Sequence, residues 1–262
     1  MNETQQAEFL KSLPTLEEAY ILFSHLTHAP YMVYNEESGE DEAFLFTDLE
    51  AAKAKAVALA EAHIQPTIAI KVNQKELIMT VSSFFVYGIT AMRWTTADGE
   101  AVYKVREVIK RPDFSQLPEQ QRPLENPALQ SSMIYYMQEL RRKDPNTDVQ
   151  TLQDLDEEMS ANIKRAKYLL PIVDKSEGDQ KNIQQVLFRI NETTSLVPLF
   201  SDGFEYQRFK AGKEEVKAIV VTFEQLATME IPQGTNGYII NPGSVGVTLS
   251  KDYIAKINAM FE

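Results

Sequence analysis

Short apolar bursts, each bounded by turn residues, set the rhythm of this chain. The stretch up to "EAYILFSHLTHAP" reads as a first helix with His25 and His28 near its end. Beyond it, "PYMVYN" and "EAFLFT" carry aromatic and branched residues around the acidic turn "NEESGED", and they predict a hairpin. "DLEAAKAKAVALAEAH" follows with Ala, Lys, Glu and Leu at helical spacing behind Asp48, a residue suited to accept from the free N–H groups of a first turn. "PTIAIKV" is β-rich and starts behind a proline, "NQKELIM" reads as a short turn of helix, and "GITAMRWTT" with "AVYKVREVI" around "ADG" predicts a second hairpin.

The same order of pieces returns later in the chain. "YLLPIV", "QQVLFRIN" and "SLVPLF" predict strands, "EYQRFKAG" a helix, "KAIVVTF" a strand and "EQLATM" a turn. The pair "GYIIN" and "VGVTLS" then flanks Asn241-Pro242-Gly243-Ser244, ahead of a closing helix "DYIAKINAMF". A shift of 149 positions lays Ala69–Leu77 on Ala218–Leu226 and carries Gly88 onto Gly237, with five identities in twenty positions; "LFTD" at Leu45–Asp48 meets "LFSD" at Leu199–Asp202 at a shift of 154. Between the copies, Pro112, Pro118, Pro123 and Pro127 interrupt regular structure, and two helical patterns, "ALQSSMIYYMQELRRK" and "TLQDLDEEMSANIKRAKYL", follow. The expectation is an α+β protein of two tandem related modules, each a small mixed sheet with helices packed on it. Residues 1–110 form one module, 111–150 a proline-rich linker and helix, and 151–262 the other.

Composition narrows the function more than it names it. A chain of 262 residues, 44% of them hydrophobic, can bury a substantial core, and the absence of cysteine excludes disulfides, thiolate metal sites and Cys nucleophiles. The net charge of −12 is spread evenly: 14 basic against 20 acidic residues up to position 143, and 12 against 18 beyond it. Nucleic acid and anionic membranes are therefore not expected as partners, because phosphate binding needs clustered Lys and Arg. No signal-peptide pattern opens the chain and no apolar run approaches the ~20 residues that span a bilayer, so a cytoplasmic protein is expected.

The second copy resembles the SseB family, specifically its N-terminal domain, named for enhanced serine sensitivity in bacteria. "YLLPIV" (168–173), "VPLFSD" (197–202) with a following helix bearing Phe209, "AIVVTFEQL" (218–226) and "GYIINPGS" (237–244) carry the resemblance, which is clearest over residues 160–262. Residues 15–110 look like a degenerate copy that keeps "FLFTD" and "AIKV" but has "AMRW" where the second copy has "INPG". The resemblance implies a compact α/β module in a bacterial protein and no established reaction.

Candidate chemistry concentrates at the Asn-Pro-Gly-Ser loop. One reading makes it a tight turn, with Asn241 tied to the backbone and Gly243 at positive φ. The other makes the backbone donors of Gly243, Ser244 and Gly246 a small anion nest beside the Ser201 hydroxyl and the Asp202 carboxylate. Ser201, Asp202, Asn241, Gly243 and Ser244 are thus the ligand-binding candidates. No catalytic residues, cofactor or metal are expected. His25 and His28 stand three apart, but a third ligand such as His63 would come from another element with no motif to bring it there; phosphate-loop and nucleophile-elbow patterns are missing, and the acidic run Glu36, Glu37, Glu40, Asp41, Glu42 reads as a solvated hairpin tip. A non-catalytic module binding a protein partner or a small polar ligand, with a homodimer admitted, is the expected function. A hydrolase or transferase acting on a polar metabolite through Asp202, Asn241 and Ser244 is the alternative.

Overall fold

A computed structural model describes residues 1–176, 182–213 and 215–261. The chain divides into two compact units, one of Met1–Gln116 with Gln138–Thr147, the other of Leu117–Met137 with Asp148–Glu262.

The first unit opens with α1 (Glu3–Ser12), started by a reciprocal Asn2/Gln5 cap. β1 (Glu18–Ser24), β2 (Ala29–Pro30), β3 (Met32–Asn35), β4 (Glu40–Phe46), α2 (Leu49–His63), β5 (Thr67–Asn73), α3 (Gln74–Tyr87), β6 (Ala91–Thr96), β7 (Gly99–Lys104) and the single turn α4 (Val105–Val108) follow. The strands form one sheet in the order β5-β1-β4-β6-β7, with β2 on β1 and β3 on β4; β4 and β6 are parallel and the other pairs antiparallel. On one face α2 covers Tyr20, Leu22, Phe44 and Phe46 with Ala52, Ala56 and Leu59. Ring contact ties α1 to the sheet, with Phe9 edge-on to Trp94 at 5.2 Å between centroids.

Three expectations change here. The segment expected as a first helix is the strand β1. Its Ala19, Tyr20, Ile21 and Leu22 are all buried, and a strand covered on both faces shows no alternation to separate it from a helix. α3 is longer than a single turn, because Leu77, Val81, Phe84 and Tyr87 recur on one buried stripe until left-handed Gly88 ends the helix. The acidic hairpin is not uniformly solvated: Glu42 is buried, gripped by Arg93 (Nε and Nη2 at 2.8 and 2.7 Å) and by the Asn35 amide at 2.8 Å.

α5 (Pro127–Arg142) contributes its residues up to Met137 to the second unit and the rest to the first, where Gln138 and Arg141 donate to the carbonyls of Met32 and Leu26. The second unit continues with α6 (Val149–Arg165), capped by Asp148, then β8 (Lys167–Asp174), β9 (Ile183–Gln185), β10 (Phe188–Arg189), β11 (Ser195–Leu199), α7 (Gly203–Lys210), β12 (Val216–Thr222), α8 (Phe223–Thr228), β13 (Tyr238–Ile240), β14 (Val247–Leu249) and α9 (Lys251–Met260). Its strands run β12-β8-β9 and β10-β11-β13-β14, and an antiparallel bridge between Leu169 and Phe200 links the two sets. β11 and β13 are parallel. The strands β5 and β12, around Ala69 and Ala218, pair antiparallel with β1 and β8 and are half-buried edges rather than buried strands. The architecture is α+β, small mixed sheets with helices laid on them.

Candidate functional site

Ser201 and Asp202 follow β11 with one residue between, and Asn241 follows β13, so the parallel pairing of these two strands delivers all three side chains to the same sheet end. Asp202 keeps an extended backbone and caps α7: its Oδ1 accepts from the Glu205 N–H at 2.9 Å. Its Oδ2 accepts from the Ser201 hydroxyl at 2.7 Å and from Gln130 Nε2 at 3.0 Å. Asn241 uses both ends of its amide on Ser201, accepting from the Ser201 N–H at 3.0 Å and donating Nδ2 to Ser201 Oγ at 2.8 Å. Asn126 closes the far side by donating to the Ser201 and Lys167 carbonyls at 2.5 and 2.9 Å. Ser201, Asp202 and Asn241 are no more than 1% exposed. A polar group this deep must be paired, and these are.

The loop takes its shape from a different residue than expected. Asn241, not Gly243, is left-handed (φ 50°), with Gly246 (φ 59°) as the second such position. The Asn241 N–H donates to the Leu199 carbonyl at 2.8 Å, and its own carbonyl accepts from the N–H groups of Ser244 and Gly246, each at 3.0 Å. Gly243 is exposed, and a Cβ there would meet nothing. Ser244 is buried, and its hydroxyl has no partner among the described residues.

The five candidate residues therefore share one neighbourhood, with Ser201, Asp202 and Asn241 knotted together, Ser244 beside them and Gly243 at the surface. Gln130 and Asn126 are the members that sequence reading missed. They come from the region read as linker and helix, and no spacing in the sequence ties them to residues more than seventy positions away. His25 and His28 lie in the β1–β2 turn and His63 ends α2; among the described residues no group of His, Asp and Glu could hold a metal ion. Two clefts stand apart from the knot. One of about 310 Å³ lies in the first unit between α3 and β6, and one of about 430 Å³ in the second is lined by Leu226, Met229, Glu230, Tyr238, Lys251 and Ile254.

Among the described residues no helix is long and apolar enough to cross a membrane. No curated protein matches the chain. Among solved structures, Tic22 from Plasmodium falciparum is 12% identical at a TM-score of 0.24, over 97% of this chain and 99% of that one. An Anabaena Tic22, described as a protein-transport protein, is 11% identical at a TM-score of 0.23, over 86% and 84%. At these scores neither likeness carries an argument. Residues 144–256 match the family model described as SseB protein N-terminal domain, a span that holds β8 to β14 and every member of the knot except Asn126 and Gln130, so the SseB resemblance of this part of the chain is shown.

Proposed function

We propose that this is a non-catalytic, SseB-like bacterial protein of two related modules that works in the cytoplasm by binding a protein partner or a small polar ligand. The observation that carries the non-catalytic reading is the burial of Asp202, the one carboxylate among the candidate residues, among three donors. Its two oxygens accept from Glu205, Ser201 and Gln130, whereas a general base or nucleophile needs a lone pair within reach of substrate. Two of the three donors that would make an anion nest, the N–H groups of Ser244 and Gly246, already serve the Asn241 carbonyl.

Register supports the two-module reading. β1 pairs with β5 from Glu18↔Asn73 to Ser24↔Thr67, and β8 with β12 from Lys167↔Thr222 to Val173↔Val216, so both strands are displaced by the same 149 positions. The bridge Leu169↔Phe200 stands where β1 and β4 place Tyr20↔Phe46. Partner binding, including a homodimer, draws support from β5 and β12, edge strands that present Ile68, Ile219 and Val220 to solvent. Nucleic acid is disfavoured by the net charge of −12.

One observation favours the hydrolase or transferase alternative: the Ser244 hydroxyl is buried beside the knot and has no partner among the described residues. Thermal melts of the parent, Ser201→Ala and Ser244→Ala across a panel of carboxylate and phosphate metabolites test the reading. Ser201→Ala is expected to lower the melting temperature by at least about 2–4 °C, a loss of roughly 1 kcal/mol or more in a chain of this size, and Ser244→Ala to leave it in place. A metabolite that stabilises the parent and not Ser244→Ala would make the loop a ligand site rather than a turn, and its turnover by the parent would overturn the non-catalytic reading.

A further inference from the structure

The cleft of the first unit is built unlike the knot. Leu77, Ile78 and Val81 of α3 form one wall, Met92 and Trp94 of β6 the floor, and Lys110, just beyond α4, stands at the rim. The floor is buried, but Ile78 is half exposed, so the apolar lining opens to solvent at its edge. Trp94 is fully buried, and among the described residues its indole N–H has no acceptor. A buried apolar floor with an open edge suits a ligand whose apolar body lies inside while a polar end stays at the rim. Lys110 decides the sign of charge that such a ligand carries. At about 310 Å³ the cleft falls at the lower end of small-ligand sites.

We infer that this cleft binds a small amphiphile, an alkyl carboxylate, with its chain against Leu77, Val81 and Met92 and its anionic head towards Lys110. This goes beyond the proposed function, since it concerns the other unit and an apolar ligand. Trp94 is the only tryptophan of the chain, so its emission reports on the cleft alone. The full-length protein is titrated with sodium decanoate below its micelle-forming concentration, followed by tryptophan fluorescence and by calorimetry. Saturable binding is expected, at least tenfold weaker for decyltrimethylammonium, which keeps the chain and reverses the charge. Lys110→Glu should weaken decanoate at least tenfold with the melting temperature unchanged, because Lys110 is exposed; Ile78→Asp should do the same at the apolar rim. Absence of saturable decanoate binding by both methods, equal binding of the two head groups, or an unaltered Lys110→Glu would each overturn the inference. So would saturable binding of a neutral apolar peptide without any of decanoate, which would hand the cleft to a polypeptide.

Discussion

Each unit has one parallel strand pair at its centre, β4 with β6 in the first and β11 with β13 in the second, and each holds that pair with a different polar device. In the first unit the chain runs on past the pairing: the Thr47 N–H finds the Thr95 carbonyl at 3.1 Å, β6 continues to Thr96, and a two-residue turn leads into β7. An ion pair between buried Glu42 and part-buried Arg93 pins the opposite end of β4. In the second unit β13 stops at Ile240, and left-handed Asn241 turns the chain away before any carbonyl can serve the waiting N–H of Ser201. The Asn241 side chain supplies the acceptor instead. The same backbone need is met by main chain in one unit and by a side chain in the other, and the substitution by a side chain draws in a whole neutral network.

The widest separation between the units should come from removing a charge. Arg93→Met leaves Glu42 buried with only the Asn35 amide, an expected loss of about 3–5 kcal/mol in urea denaturation followed by Trp94 emission, and the double change with Glu42→Met should recover much of it. Recovery of nothing would mean that the pair is not what holds this end of β4. The two helix caps sharpen the contrast. Asp48→Ala removes one exposed bond to the Ala51 N–H and should cost about 1 kcal/mol, whereas Asp202→Ala also strands Gln130 and Ser201 and should cost about 3 kcal/mol. Equal losses would erase the distinction between cap and network. Within the second unit, Gly237→Ala should cost about 2 kcal/mol, because φ is 127° and a Cβ would collide with the Leu249 carbonyl; Gly243→Ala should stay within about 0.5 kcal/mol.

The smallest effect is electrostatic. The Lys104 ammonium, and after it the Thr90 hydroxyl, hold the Glu40 carboxyl below its ordinary value of 4.5. A carboxyl depressed in the folded state stabilises fully above its unfolded value and loses that contribution as pH falls through the lower folded one. Stability measured from pH 6 down to pH 3 should therefore fall less steeply in Glu40→Gln than in the parent. A parallel fall would show that the pair leaves no mark on acid stability.

The sequence made the β3–β4 hairpin, the helix capped by Asp48 and the closing helix readable, because each carries a local signal: an acidic turn, a cap, a 3.6-residue stripe. β1 was not readable, since "AYIL" is buried throughout and a continuous apolar run fits a helix as well as a strand. The ungapped match of Gly88 to Gly237 misled in the same way. Gly88 ends α3, while Gly237 leads into β13, and the parallel registers pair Leu45 with Trp94 but Leu199 with Ile240, three positions short of a shift by 149. At the candidate site the neighbourhood of Ser201, Asp202 and Asn241 was legible from the strand–cap order. Which residue of the loop turns left-handed was not, because both Asn and Gly tolerate that conformation and only the demand of the Ser201 N–H selects Asn241.

The division of α5 between the units has a consequence for how this protein is made. A nascent chain that has left the ribosome as far as Lys104 carries every strand of the first unit, yet Gln138 and Arg141, which donate to the carbonyls of Met32 and Leu26, have still to be synthesised. Residues 117–137, which belong to the second unit, emerge before the first is complete. Neither unit is then a contiguous stretch of gene. A single cut on either side of the proline-rich segment yields a fragment that lacks part of its own fold, so any shuffling of these modules must move them as a pair.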